Sequence, residues 1–109
     1  MIKAYFCTMI VYNVTINVHD EACAEWVKWM KETHLPEVMA TGMFEKYSMY
    51  KLLTRQEDEE GETYCIQYQC NSMENYERYN SEFAPALKEE TNKKFAGKFY
   101  AFRTLMQSI

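Results

Sequence analysis

The fold is decided by nine residues near the start of the chain, Ile10-Val-Tyr-Asn-Val-Thr-Ile-Asn-Val18. Apolar side chains occupy every even position of this stretch, and Asn13, Thr15 and Asn17 lie between them. Successive side chains of a β-strand point to opposite faces, so this period of two is the pattern of a half-buried strand. The first element is therefore predicted to be a strand with one face in the core.

Apolar residues spaced three and four apart predict a first helix after this strand. Asp20 offers an N-cap side chain, and Trp26 and Met30 lie on one helical face. Pro36 has no N–H to donate, so we expect the helix to break or kink near residues 34–35. A short turn then follows and ends at Gly42, which suits a left-handed C-cap.

A second helix is predicted from its cap at Ser72 to about residue 95, interrupted at Pro85. Its inner face is expected to consist of Tyr76, Tyr79, Phe83 and Leu87. Strands are predicted over residues 43–55, 63–70 and 98–106, with the acidic run 57–60 at the tip of the hairpin between the first two of them. The order of elements is then βαββαβ.

This order indicates a ferredoxin-like α+β fold, with a four-stranded antiparallel sheet, the first and third strands at its centre and both helices on one face. On the central strands, the other sheet face carries the amides Asn13, Asn17, Gln67 and Gln69 and no charge. A face left to water normally shows Lys and Glu. We therefore expect a twofold homodimer in which the same face of a second subunit covers it.

The length of 109 residues and the hydrophobic content of 48% suit one domain. We place that domain at residues 9–109 and interpret residues 1–8 as an extension or an alternative start, because Met9 begins a clean strand. The net charge of -4 argues against nucleic acid as a partner. The start lacks a continuous apolar run, so we expect neither export nor membrane attachment, and a cytoplasmic protein.

The cysteines, four in number, form no C-x-x-C pair and do not cluster with histidine, so no metal site is expected. They read as small apolar residues in a reducing compartment. Spacing alone also indicates no phosphate loop, and we expect no cofactor.

Four strings resemble a family of short bacterial proteins catalogued only as a domain of unknown function. They are Met9-Ile-Val-Tyr-Asn-Val-Thr15, Trp26-x-x-Trp-Met-Lys-x-x-His-Leu-Pro-Glu-Val-x-Ala-Thr-Gly-x-Phe44, Tyr76-Glu-Arg-Tyr79 and Gly97-Lys-Phe-x-Ala-Phe-Arg-Thr-Leu105. The likeness covers nearly everything after Thr8, and that family has no established activity. It implies no function for this chain.

More distantly, the run His34-Leu-Pro36 resembles the dimeric α+β barrel group. That group includes ethyl-tert-butyl-ether-degradation-like proteins, stress-responsive barrel proteins and cofactor-free monooxygenases. The resemblance implies a dimer of two ferredoxin-like sheets, whereas a shared fold does not fix a function.

His34 is the first candidate site residue, because a neutral imidazole beside the expected break at Pro36 could exchange a proton with a small acid or phenol. Alternatively, it caps the turn or packs on a tryptophan. Arg103 could hold a carboxylate through two hydrogen bonds, or bond across the dimer or to the strand edge.

Aromatic residues at core spacing could line a ligand pocket, although such residues are usually packing. Trp29, Tyr12 and Tyr68 are the candidates of this kind. Asn13 could contact a ligand, although a mid-strand amide next to a dimer face more often makes a specificity hydrogen bond.

Two hypotheses for function follow. The first is a noncatalytic homodimer that binds a small ligand or serves as an interaction module. The alternative is a cofactor-free enzyme, monooxygenase-like or isomerase-like, acting on a small aromatic or acidic metabolite with His34 as acid or base and Arg103 as anion anchor. A cavity of roughly 300 Å³ or more, lined by both residues, would favour a ligand site.

Overall fold

The computed structural model describes residues 8–54 and 58–109. Its strands are β1 (Ile10–Val18), β2 (Lys46–Lys51), β3 (Glu62–Cys70) and β4 (Phe99–Gln107). Its α-helices are α1 (Cys23–Trp29), α2 (Leu35–Ala40), α3 (Met73–Arg78) and α4 (Ala84–Lys94). Wide helical turns join α1 to α2 at Met30–His34 and α3 to α4 at Tyr79–Phe83.

The four strands form one antiparallel sheet in the order β2-β3-β1-β4. β1 therefore lies between β3 and β4, and its Tyr12 stands opposite Tyr68 on one side and Leu105 on the other. The prediction of a ferredoxin-like α+β fold with β1 and β3 in the centre is confirmed.

The core lies between the sheet and the helices, and β1 contributes five side chains to it. These are the even positions Ile10, Tyr12, Val14, Ile16 and Val18, none more than 7% exposed. From the helical layer, Trp26, Leu35 and Val38 reach 0% exposure. The period of two in β1 thus separates core positions from outer-face positions, as predicted. The apolar side chains take the core positions because burying apolar area is the main driving force for folding.

The first helix does not break before Pro36, and its expected irregularity near residues 34–35 takes the form of a π-helical turn. There the Leu35 N–H donates to the Met30 carbonyl, five residues back. This turn holds one residue more than an α-turn, so the chain passes the proline while remaining helical. As a result, Met30 and Leu35 both face the core although five positions separate them.

The second helix contains a π-helical turn of the same kind. The Ala84 N–H donates to the Tyr79 carbonyl, again five residues back and just before a proline, Pro85. Tyr79 and Ala84 are buried, at 5% and 1% exposure, while Phe83 is only partly buried. The inner face of this helix therefore passes through Tyr79 and Ala84, and Phe83 packs against the core as a partly buried residue, like the predicted Tyr76 and Leu87.

The helix caps follow the sequence in one case and depart from it in another. Ser72 caps α3, since its hydroxyl accepts the Asn75 N–H at 3.1 Å. Asp20 does not cap α1, because it begins a short 3₁₀ turn, Asp20–Ala22, and makes no capping bond. Gly42 ends the first helical segment in the left-handed region, with φ of 77°.

Strand β2 is shorter than the predicted 43–55. Glu57 of the expected acidic tip, like residues 1–7 of the proposed extension, lies outside the described residues. Within the described ranges, no helix has both the length and the apolar character needed to cross a membrane.

Candidate ligand-binding site

A cavity of about 520 Å³ lies between the helices and the inner face of the sheet. Strands β1, β3 and β4 form its floor, and α1, α4 and the two π-helical turns form the opposite wall. Its walls include four of the candidate residues, His34, Arg103, Tyr12 and Tyr68. The two charged or titratable candidates, His34 and Arg103, thus meet in one space.

His34 is the last residue of the first π-helical turn, and its ring stacks on Trp29 at 5.1 Å and 27°. The expected packing on a tryptophan is therefore present together with the contact to the cavity. Its Nδ1 is buried and has no hydrogen-bond partner within the described part of the chain. Burial lowers the pKa of His34, with a smaller opposing effect from Glu90, so the imidazole is neutral at pH 7.

Arg103 occupies an inward-facing position of β4, opposite Val14. Its Nε donates to the Tyr12 hydroxyl at 3.2 Å. The possibility that Arg103 shares the outer face with Asn13 is therefore wrong, because the two residues lie on opposite sides of the sheet. The guanidinium is left with its terminal nitrogens available to a second partner.

The tyrosines around the cavity form a packed group with protonated hydroxyls. Tyr12 lies 5.8 Å from Tyr68 and 6.1 Å from Tyr79 between ring centroids. Burial raises the pKa of all three phenols, and at Tyr12 the Arg103 guanidinium offsets part of that rise. These side chains therefore offer a cavity ligand apolar ring faces and neutral O–H groups.

Lys88 of α4 also lines the cavity, and sequence reasoning missed it. Burial lowers its pKa, and the Arg103 guanidinium lowers it further. The signal that could have found it is helical spacing, because Ala84, Lys88 and Thr91 fall on one face of α4. The expected inner face stopped at Leu87.

The other two candidates lie outside the cavity wall. Trp29 supports His34 from behind through the ring stack. Asn13 lies on the outer sheet face at 7% exposure, with its Nδ2 donating to the Thr15 hydroxyl at 2.9 Å. Its Oδ1 is buried and finds no partner within the described residues. Asn13 therefore belongs with the predicted dimer face.

One group of side chains has donors of the kind that bind metals. His34, Glu37 and Glu90 each offer a ligand atom, and these atoms lie within 4.8 Å of one another. Zinc accepts such nitrogen and oxygen donors. A hydrogen bond with Glu90 is the largest of the effects that raise the pKa of Glu37. Both glutamates are exposed, as acidic side chains without a metal usually are.

Comparison with known protein families shows which family the chain belongs to. Residues 9–109 match the family described as a domain of unknown function, DUF4286. The chain belongs to this family. No functionally curated protein matches the DUF4286 protein.

Solved structures resemble the DUF4286 protein in fold. SnoaB, a cofactor-independent oxygenase from Streptomyces nogalater, is 11% identical, with 93% of each chain covered and a TM-score of 0.65. An ethyl tert-butyl ether degradation family protein from Bacillus halodurans is 16% identical over 92% of this chain and 97% of its own, with a TM-score of 0.62. A dimeric ferredoxin-like protein from an uncultured marine organism is 9% identical over 94% and 95%, with a TM-score of 0.58. At these identities the likeness shows the fold alone.

Proposed function

We propose that this DUF4286 protein is a homodimer that binds a small, largely apolar molecule, without chemical change, in the cavity between the helices and the sheet. The observation that carries the proposal is the cavity of about 520 Å³ lined by both His34 and Arg103. Ligand pockets occupy roughly 300–1,000 Å³ and combine apolar walls with a few polar groups. This cavity has both properties.

Different wall residues would supply the apolar and the polar contacts to a ligand. The partly buried Leu87 and Phe99 offer apolar surface in a lining that also includes packed core aromatics, and burial of apolar area supplies most of the affinity in such a pocket. Tyr12 and Tyr68 carry hydroxyl groups, and His34 adds a buried Nδ1 that has no hydrogen-bond partner among the described residues. The polar atoms are few, which favours a ligand held in one orientation over a strongly charged metabolite with many hydrogen bonds.

The outer sheet face supports the homodimer. Asn13 presents a buried, unpartnered amide oxygen there, and β4 adds Tyr100 at 63% and Phe102 at 59% exposure. On β1, β3 and β4 this face carries no charged side chain. Large exposed aromatics on an uncharged face are typical of a protein interface. The marine ferredoxin-like protein of similar fold is described as dimeric.

The same proposal places the protein in the cytoplasm. Cys23, Cys65 and Cys70 are free thiols among the described residues. Free thiols persist in a reducing compartment.

A thermal-shift screen of small phenols, aromatic acids and neutral aromatics tests binding. A ligand of the native state raises the melting temperature, with about 2.7 kcal/mol of stabilisation at a ligand concentration of 100 times Kd. Ala101 lines the cavity, so Ala101→Trp should fill it and abolish the shift. Ala86→Trp, at an exposed position of α4, is the matched control and should keep it. The proposal fails if no compound shifts the wild type, or if Ala101→Trp binds as the wild type does.

A second candidate is a cofactor-free, isomerase-like enzyme. The favouring observation is that the neutral imidazole of His34 lines the same cavity as the Arg103 cation. Such an imidazole can remove a proton from a bound acid or phenol and return it at another atom. NMR of a bound compound in D₂O would show deuterium incorporated at carbon by the wild type and not by His34→Gln. A ligand that binds without exchange would leave the noncatalytic function in place.

A further inference from the structure

Two cations face the cavity from opposite walls. Lys88 comes from α4 in the helical layer, and Arg103 comes from β4 in the sheet. No aspartate or glutamate is among the residues that line the cavity. The formal charges among the lining residues are therefore positive in a chain whose net charge is -4, although Glu37 and Glu90 lie beside His34.

Five other described cations lie beside carboxylates of the chain, whereas Lys88 and Arg103 do not. Within residues 8–54 and 58–109, such ion pairs join Lys51 to Glu62, Arg78 to Glu82, Lys93 to Glu89, Lys94 to Glu25 and Lys98 to Glu21, at 2.7–3.8 Å. Neither Lys88 nor Arg103 forms an ion pair with a described carboxylate. Among the described residues Arg103 donates to the Tyr12 hydroxyl, and neither cation has a carboxylate partner there.

We propose that Lys88 and Arg103 together bind the carboxylate of an aromatic acid, whose ring fills the apolar part of the cavity. This inference rests on the proposed binding function and names the class of its ligand. A carboxylate between the two side chains would replace the mutual repulsion of two cations with charge-assisted hydrogen bonds. Arg103 offers a planar pair of donors for its two oxygens, and Lys88 offers a point charge on the other side.

The apolar part of the cavity determines which kind of group the ligand carries beside its carboxylate. Leu87, Phe99 and Ala101 present partly buried apolar surface in the lining, which also includes packed core aromatics. An aromatic body packs well against such surfaces, whereas a sugar or a free phosphate would leave its polar groups unpaired there. Burial and, to a smaller extent, the neighbouring guanidinium lower the pKa of Lys88, and an anion bound between the two cations would oppose that effect.

Calorimetry with matched probes at pH 7.5 tests the charge preference. The probes are 2-naphthoate and 2-naphthamide, which share size and shape and differ in charge, with acetate and inorganic phosphate as anions lacking the aromatic body. The expected result is that the wild type binds naphthoate at least tenfold more tightly than naphthamide and binds neither small anion measurably. Tight binding of phosphate or acetate alone would contradict the aromatic part of the inference.

Substitutions of the two cations test which residues cause the preference for the carboxylate. Lys88→Gln and Arg103→Gln should each reduce naphthoate affinity about tenfold and leave naphthamide affinity nearly unchanged. Lys93→Gln on the same helix, whose amine pairs with Glu89 at the surface, is the control and should match the wild type. Equal binding of the acid and the amide by the wild type would overturn the carboxylate inference while the binding function stands. If neither aromatic probe nor any compound of the wider screen binds, the binding function itself fails.

Discussion

The imidazole of His34 lies between an apolar wall and charged groups on two other elements. Trp29 stacks on one side of the ring, Glu90 of α4 approaches from the helical layer, and Arg103 of β4 approaches from the sheet. Burial is the largest influence on its pKa and favours the neutral form. The same residue that could exchange a proton with a ligand therefore also ties the stability of the fold to pH.

The sign of that dependence follows from the lowered pKa. Between the native pKa of His34 and the ordinary value of 6.5, the unfolded chain binds more protons than the native one at this residue. The free energy of unfolding should therefore fall as the pH drops below about 6.5. Urea denaturation from pH 7.5 to 5.0 measures it, and His34→Gln should flatten the decline. His19→Gln, at the exposed histidine, should keep the wild-type slope, and identical slopes for all three proteins would refute the assignment.

The site was only partly predictable from the sequence, for physical reasons. His34 stood out because it precedes Pro36, and Arg103 because it is a lone cation on an apolar strand face. Lys88 was missed because a lysine on a helix is normally solvated, and only the packing of α4 over β4 brings it into a cavity. Asn13 was kept as a candidate although the strand pattern already placed it on the outer face, where an amide more often makes a specificity hydrogen bond.

At the scale of elements, the close approach of β1 and β3 depends on one glycine. Gly61 precedes β3 with φ of 76°, and a Cβ added there would lie 2.4 Å from the Val18 carbonyl oxygen at the end of β1. The Asn17 side chain also closes over this turn, since its Nδ2 donates to the Glu60 carbonyl at 3.0 Å. Both the left-handed backbone and the lack of a side chain are needed here.

Gly42 separates these two requirements, because its φ is 77° and nothing lies within 4 Å of an added Cβ. Gly42→Ala should cost about 1–2 kcal/mol, the usual penalty of the left-handed region. Gly61→Ala should cost a further ~1–3 kcal/mol, the usual range for overpacking. Chemical denaturation of both variants provides the comparison. Equal losses would mean that the approach to Val18 is relieved by a small shift of the chain.

The helices contain a feature that the sequence pattern could not predict. Regular spacing predicted α1, and Ser72 predicted the cap of α3, but at the prolines only a break, kink or interruption was expected. The structure inserts a π-helical turn before each proline, so buried residues five apart, Met30 with Leu35 and Tyr79 with Ala84, share a face. A search for spacings of three and four cannot find such pairs, because only the packed core selects the extra residue.

At the scale of the whole molecule, the sheet separates two surfaces with different tasks. Its inner face packs on the helices and forms the floor of the cavity, with Arg103 and Tyr12 joined by a hydrogen bond. Its outer face presents amides and aromatics. Because neighbouring residues of β4 alternate between these faces, the edge strand belongs to both the cavity and the proposed interface. A ligand that contacts β4 in the cavity would therefore also affect the proposed dimer interface.

The dimer can be tested without touching the cavity. Phe102 lies on the outer face opposite Thr15 and is 59% exposed in the single chain. Phe102→Glu would place two carboxylates in a twofold interface, and a buried unpaired charge costs several kcal/mol. Sedimentation velocity at micromolar concentration should show a dimer for the wild type and a monomer for Phe102→Glu. Leu53→Glu adds the same charge at a residue that is 87% exposed and outside the strands, so it should remain dimeric. A monomeric wild type, or a dimeric Phe102→Glu with native circular dichroism, would show that this face is not the interface.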